Sequence, residues 1–241
     1  MSGLRGKVAI VTGASRGLGR AIAVSFAREG AALALCARGP DALHLTVTEL
    51  RAAGADVLEV VGDVRDTRDI ERLAALTFDR FGRADVLVNN ASELGPTPLP
   101  LLADYPPGAF ADVLRVNVEA AFRLTQAVIG DMLRRGSGVV LNVSSDVAVS
   151  GYPSWGAYAV SKAAIDALTR TWAAELVGTG VRIHAVDPGD MDTAMHRAAL
   201  PEDDPASLLD PAYSAEAFVR LALADPGTDR VRATDLLAPA G

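Results

Sequence analysis

The sequence predicts a doubly wound α/β fold, a mostly parallel sheet with helices on both faces. Three observations predict it. Short apolar, β-branched runs alternate with stretches of helical spacing from Lys7 to Val186, joined by short links, and parallel strands need such helical crossovers. The first link is punctuated by Gly13, Gly17 and Gly19. The chain has 241 residues, 50% of them hydrophobic, enough for one large domain over 1–241 and short for two.

Val8 to Val11 reads as a strand buried on both faces. The glycines lead into a helix marked by Leu18, Ile22 and Phe26. A sharp turn, close approach of the backbone to a ligand and free helix N–H groups are all obstructed by side chains. The partial positive charge of a helix N-terminus selects an anion, most simply a diphosphate. Taken alone, the motif also fits an ordinary glycine turn.

Ala32 to Ala37 is a second strand, with Arg38 just past its end. In a dinucleotide site this position faces the adenosine ribose, where a carboxylate would accept from the ribose hydroxyls and repel a 2′-phosphate. Here Ala37 is followed by Arg38, and Arg16 in the glycine loop can reach the same place. Singly each fits a solvated surface arginine. Together, flanking one expected phosphate, they favour NADP(H) over NAD(H).

Asp41 to Ala53 is a helix closed by Gly54, and Val57 to Val61 a third strand ending in Gly62-Asp63-Val64. Asp63 stands where it can accept from an adenine amino group. Asp66 caps a helix running to Phe81. Val86 to Ser92 is a fourth strand entering a polar loop, and a proline-rich loop, Gly95 to Pro107, leads into one long helix from Ala109 to Arg134. Asn117 sits mid-helix, a poor place for a side chain that competes for backbone bonds. It either faces solvent or is buried for a function. Gly138 to Ser144 is a fifth strand, leaving Ser144, Ser145 and Asp146 at its end.

Tyr158 and Lys162 open a helix running to Val177. Residues i and i+4 share a helix face, so phenol and ammonium lie side by side, and the cation is expected to lower the tyrosine pKa. Moving it from about 10 to about 7 needs roughly 4 kcal/mol. Such a pair alone is usually structural. Val181 to Val186 is a sixth strand ending in Asp187-Pro188-Gly189, Ser214 to Ala224 a last helix, and Val231 to Leu237 a weak seventh strand.

Composition excludes several classes. A formal charge of −7 argues against nucleic-acid binding. No apolar run reaches membrane-spanning length, and no signal peptide is apparent. Cys36 is the only cysteine, which fits a reducing cytoplasm, and His44, His184 and His196 lack metal-ligand spacing. No metal site is expected, and His184 reads as a core or edge residue.

With these pieces in order, the sequence resembles the single-domain short-chain dehydrogenase/reductase family. The resemblance rests on Thr12-Gly-Ala-Ser-Arg-Gly-Leu-Gly19, Asp63-Val64, Asn89-Asn-Ala91, Asn117, Ser145, Tyr158 with Lys162, and Pro188-Gly189 with Thr193. Ser145 precedes Tyr158 by the usual family spacing and is preferred over Ser144. The resemblance implies a Rossmann fold with a seven-stranded, mostly parallel sheet. It also implies hydride transfer between nicotinamide and a carbonyl or alcohol, with Tyr158 as general acid/base. Ser145 would bond the reacting oxygen. Lys162 would hold the ribose and tune the phenol, and Asn117 would position a water. The implied cofactor set comprises Gly13, Ser15, Arg16, Gly17, Leu18, Gly19, Arg38, Asp63, Val64, Asn90, Ala91, Tyr158, Lys162, Pro188, Gly189, Met191 and Thr193. Within it Asn90 would meet a ribose, while the Met191 backbone and Thr193 would hold the carboxamide. A homodimer or homotetramer paired through helices is implied. The alternative is a non-catalytic dinucleotide sensor or scaffold on the same fold.

The chain departs from the family pattern in places. Ser92 replaces the usual glycine after Asn-Asn-Ala, Asp190 a bulky apolar residue, and Asp187 a frequent asparagine. Ser92, Glu93, Asp146, Gly151, Tyr152, Trp155 and Asp190 are expected around the reacting carbon. Two readings of the acids stand: they point outward or cap short helices, for which Asp190 and Asp192 are suited, or Asp190 or Glu93 accepts from a polar substrate.

Overall fold

The structure is a computed structural model and describes residues 3–238. The strands are β1 (Val8–Thr12), β2 (Ala32–Ala37), β3 (Val57–Val61), β4 (Val86–Asn89), β5 (Gly138–Val143), β6 (Val181–Asp187) and β7 (Arg230–Arg232). They form one sheet in the order β3-β2-β1-β4-β5-β6-β7, every neighbouring pair parallel. The strand order reverses beside β1, between β1 and β4. A crevice opens outside the carboxyl ends of the strands at such a point.

The helices are α1 (Gly17–Arg28), α2 (Pro40–Ala52), α3 (Thr67–Phe81), α4 (Pro107–Leu114), α5 (Ala120–Arg135), α6 (Gly156–Glu175), α7 (Ala194–Ala199), α8 (Pro211–Leu223) and α9 (Ala233–Leu237). Successive strand residues point to opposite faces, and the core divides accordingly. Ala9, Val11, Leu33, Leu35, Val86, Val88 and Leu141 pack with Ile22 and Phe26 of α1, Leu43 and Val47 of α2 and Phe218 of α8. Ile10, Ala34, Leu87 and Val140 pack on the other face with Leu73 of α3 and Leu124 and Val128 of α5.

At the amino ends of the strands, the buried Asp85 carboxylate accepts from Val8 N–H at 2.9 Å, Arg83 at 2.6 Å and Arg135 at 3.0 Å. That network closes the base of the sheet, while the carboxyl ends stay open. Asp66 caps α3 as expected, accepting from Arg68 N–H.

Three expectations need correction. The long helix Ala109–Arg134 is not uniform: α4 and α5 are joined by a π-helical turn, Arg115–Glu119, centred on Asn117. The seventh strand spans only Arg230–Arg232, and the rest of the segment read as strand is α9. Asp190 and Asp192 do not cap α7. Thr193 does, accepting from His196 N–H at 3.1 Å, while Asp192 pairs with Arg197.

Candidate active site

The glycine turn is built for close backbone approach. Gly13 has φ +66°, and a Cβ there would stand 2.8 Å from the Asn90 amide nitrogen and 3.0 Å from Ala91 Cα. A Cβ on Gly19 would meet Gly13 O at 2.4 Å. Gly17 also has a left-handed φ and stands across from Thr193. Ser15 and Arg16 lead into α1, which begins without a side-chain cap and has no acid in its first turn. The first N–H groups of Gly17, Leu18 and Gly19 therefore carry the uncompensated end of the helix dipole. These features fit a diphosphate.

Asn90 braces the turn, its amide nitrogen donating to Thr12 O at 2.8 Å and to Gly13 O at 3.3 Å. Thr12 Oγ1 accepts from the Asn90 and Ala91 N–H groups, each at 3.0 Å. Past the carboxyl end of β2 Arg38 is exposed, as is Arg16 in the glycine turn, and Val64 is half-buried. Arg38 meets Glu93 at a loose 3.6 Å. Asp63 is gripped by Arg65, at 2.7 Å from Nη2 and 3.0 Å from Nε. Burial works to raise its pKa, but the Arg65 hydrogen bonds outweigh burial and hold it low.

Asn117 is buried, and all four of its side-chain bonds are to protein. Its Oδ1 accepts from Glu93 N–H at 2.7 Å and Ser92 Oγ at 3.2 Å, and its Nδ2 donates to Glu93 O at 3.0 Å and Ser161 Oγ at 2.9 Å. The π turn thus locks the loop after β4 to α6, and of the two readings the buried one holds. Beside it lies a cavity of about 10 Å³, lined by Val116, Asn117, Ala120, Ala121 and Lys162 among others. That is the size of one water.

Lys162 is buried, and its Nζ donates to Val143 O at 2.8 Å. It stands 5.2 Å from the Tyr158 ring centroid. Burial pushes its pKa down to about 8, against the pull of Asp166. The expected lowering of the Tyr158 pKa is not found. Burial drives the phenol well above its usual value and the Asp146 and Asp187 carboxylates add to this, while a hydrogen bond with Ser92 opposes it. Burial is the largest cause of the difference, and Lys162 Nζ bonds the Val143 carbonyl.

Ser145 Oγ donates to Asp146 Oδ1 at 3.0 Å, and the Tyr152 hydroxyl donates to Asp146 Oδ2 at 3.1 Å. Trp155 packs on Tyr158 with ring centroids 5.7 Å apart. Asp190 is exposed, and Glu93 turns to Arg38. Pro188 O accepts from the buried Ser214 hydroxyl at 2.7 Å, Gly189 has φ +78°, and Met191 bridges to Leu209.

Sequence reasoning missed the support beneath this site. Arg230 of β7 donates from Nε to Asp166 at 2.9 Å and from Nη2 to Ser145 O at 3.0 Å, and lies 3.6 Å from Asp187. Asp166 also accepts from Ser144 Oγ. The sequence shows only an acid one helical turn beyond Lys162, and the structure shows that it is buried. His184 is buried and bonded through Nδ1 to Thr228 O, away from this cluster. Burial raises the Cys36 thiol to about 12, so it is no thiolate nucleophile. Among the described residues no acid, histidine or cysteine cluster is placed to hold a metal.

A doubly wound parallel sheet with a glycine cradle at its switch point, beside a half-buried tyrosine paired with a buried lysine, defines a nicotinamide-dependent oxidoreductase. The chain belongs to the short chain dehydrogenase family, which it matches over residues 7–204. It is 37% identical over 199 residues to the 3-oxoacyl-(acyl-carrier-protein) reductase FabG of Thermotoga maritima, covering 83% of this chain and 79% of the relative. It is 40% identical over 194 residues to the 1-deoxy-11-beta-hydroxypentalenate dehydrogenase of Streptomyces exfoliatus, covering 80% and 70%. An actinorhodin polyketide ketoreductase variant solved with NADPH superposes with a TM-score of 0.85 at 31% identity, covering 94% of this chain and 95% of that one. No helix of the described residues is long and apolar enough to cross a membrane.

Proposed function

We propose that this protein is an NADP(H)-dependent oxidoreductase that interconverts a carbonyl and an alcohol, with Tyr158 as its general acid/base. The observation that carries this reading is the half-buried Tyr158 beside the buried Lys162, whose Nζ lies 5.2 Å from the tyrosine ring centroid, next to the Ser92–Asn117 lock at the open end of the sheet. NADP(H), when bound, supplies or takes the hydride.

Tyr158 hands a proton to the reacting oxygen in reduction and takes it back in oxidation. The phenol is protonated at neutral pH and so carries the proton that reduction needs, though burial makes it a weaker acid than a free tyrosine. Ser145 donates to the same oxygen. Lys162 holds a ribose hydroxyl, and Asn117 positions a water, for which the small cavity beside it offers a place, that connects Lys162 to solvent. Gly13, Ser15, Arg16, Gly17, Leu18 and Gly19 hold the diphosphate, and Asp63, Val64, Asn90 and Ala91 hold the adenosine half. Pro188, Gly189, Met191 and Thr193 hold the nicotinamide half.

Arg38 and Arg16 take the 2′-phosphate through charge-assisted bonds. No carboxylate stands at the end of β2 to repel it, and Glu93 meets Arg38 too loosely to compete with a dianion. The outward face of α6, with Val160, Ala163 and Ala167 exposed, supports pairing of copies into a homodimer or homotetramer. The whole chain is proposed to act as one domain in the cytoplasm.

The test is NADPH oxidation against a panel of ketones and aldehydes. Tyr158→Phe keeps the ring and removes the exchangeable proton, so turnover is expected to fall by about 10²–10⁴-fold, with NADPH binding retained. Near-full activity in Tyr158→Phe on a confirmed substrate would overturn the mechanism.

A further inference from the structure

Asp146 directly follows the proposed catalytic serine in the 3-10 turn Asp146–Ala148 at the end of β5. Both of its oxygens are engaged, Oδ1 by Ser145 Oγ at 3.0 Å and Oδ2 by the Tyr152 hydroxyl at 3.1 Å. It is half-buried, and its charge is felt at the Tyr158 phenol. It therefore stands where the reacting carbonyl is proposed to dock, unlike Asp190 or Glu93.

A serine hydroxyl has one proton. While Ser145 gives it to Asp146, it cannot give it to a carbonyl oxygen. A plain ketone forces a choice. Either Ser145 stays on Asp146 and leaves the carbonyl unpolarised, or it turns to the carbonyl and strips a half-buried carboxylate of a donor. Both outcomes weaken the transition state. A substrate with its own donor on the adjacent carbon removes the conflict, because Ser145 turns to the carbonyl while the substrate donor replaces it on Asp146. The two heteroatoms of a vicinal hydroxycarbonyl lie at about hydrogen-bond separation, which matches the 3.0 Å between Ser145 Oγ and Asp146 Oδ1. Two parallel bonds then form across the pair.

We propose that Asp146 accepts from a hydroxyl or ammonium group one carbon from the reacting carbonyl, so that the site favours α-hydroxy and α-amino carbonyl compounds over plain ketones. This rests on the reductase reading above. Hydride goes to the carbonyl carbon and the Tyr158 proton to its oxygen. The neighbouring donor only binds and leaves unchanged in a vicinal diol or amino alcohol.

The experiment compares 3-hydroxybutan-2-one, 3-aminobutan-2-one and butan-2-one by kcat/KM in the unaltered protein, Asp146→Asn and Asp146→Ala, with thermal melting and NADPH binding followed in each. In the unaltered protein the hydroxylated and aminated ketones are expected to exceed butan-2-one by about tenfold or more, equal to roughly 1.4 kcal/mol. Asp146→Ala should bring both ratios towards one. Asp146→Asn keeps an acceptor but no charge, so the amine advantage should fall further than the hydroxyl advantage. Butan-2-one matching or beating the others in the unaltered protein would overturn the proposal even if no variant folds. Ratios unchanged in a folded Asp146→Ala would overturn it as well. If neither these probes nor a broad carbonyl panel consumes NADPH, the reductase reading itself fails and this proposal falls with it. Reduction of plain ketones with no such preference removes the Asp146 proposal alone.

Discussion

Replacing Arg230 by methionine should weaken the whole fold through a residue in a three-residue strand. Arg230 stands between Asp166, whose side chain is 3% exposed, and Asp187, at 4%, and is itself 28% exposed. Breaking a buried ion pair from one side costs about 3–5 kcal/mol, because the surviving charge is stranded. Two features reduce that here. Water reaches the guanidinium, and Arg232 stays 3.7 Å from Asp187, which also keeps its bond from Gly189 N–H. Asp166 keeps the Ser144 hydroxyl and the longer-range attraction of the Lys162 ammonium. A loss of about 2–4 kcal/mol follows. At about 2–4 °C per kcal/mol for a chain of this size, the melting temperature should drop by roughly 5–15 °C. Calorimetry at fixed protein concentration and scan rate measures it. Arg230→Lys keeps the charge but cannot span Asp166 and the Ser145 carbonyl together, so an intermediate drop is expected. A loss below about 1 kcal/mol in Arg230→Met, the size of an exposed pair, would refute the reasoning.

Other outcomes follow from the same geometry. Arg38→Asp should reverse or erase a preference for NADPH over NADH of about tenfold or more, read by fluorescence titration. Equal affinities in the unaltered protein would count against the cofactor assignment. Lys162 is pushed down to about 8, so its charge is present below that pH and is lost as pH rises through it. The reduction rate should therefore fall across pH 8, and Lys162→Arg should be slower but flat there. Sedimentation at micromolar concentration should show a dimer or tetramer, and a monomer would contradict the pairing of α6 faces.

Much of this molecule is legible in its sequence because the signals are local. The first six strands are largely apolar runs that a doubly covered parallel sheet buries, and five of them lie within one residue of their expected limits, while β4 ends at Asn89, three residues before the expected Ser92. Gly13 and Gly19 announce a backbone that another part of the chain must touch. The C-terminal end is harder to read. Val231 and Leu237 look like strand residues, yet Ala233, Leu236 and Leu237 recur at helical spacing, and the segment divides between β7 and α9. Arg230, Asp166 and Asp187 lie far apart in sequence, and nothing local marks their meeting. The tyrosine misled for a different reason. The i, i+4 rule places Lys162 beside Tyr158, but cannot say that its ammonium will bond a carbonyl of β5.

The π turn at Arg115–Glu119 carries a last consequence, about chain length rather than residue type. One surplus residue turns all that follows by about 100° around the helix axis. Before the turn, Val113 packs with Tyr105 and Ala157; after it, Ala120, Leu124 and Val128 pack in the core cluster shared with α3 and the central strands. Each half therefore keeps its own angular frame. Removing any one residue from 115–119 would merge the two frames. Either Asn117 would swing off the 92–93 loop, or the α5 stripe would roll away from the sheet. Side chains in this segment can be exchanged one at a time, whereas its residue count is fixed by the geometry on both sides.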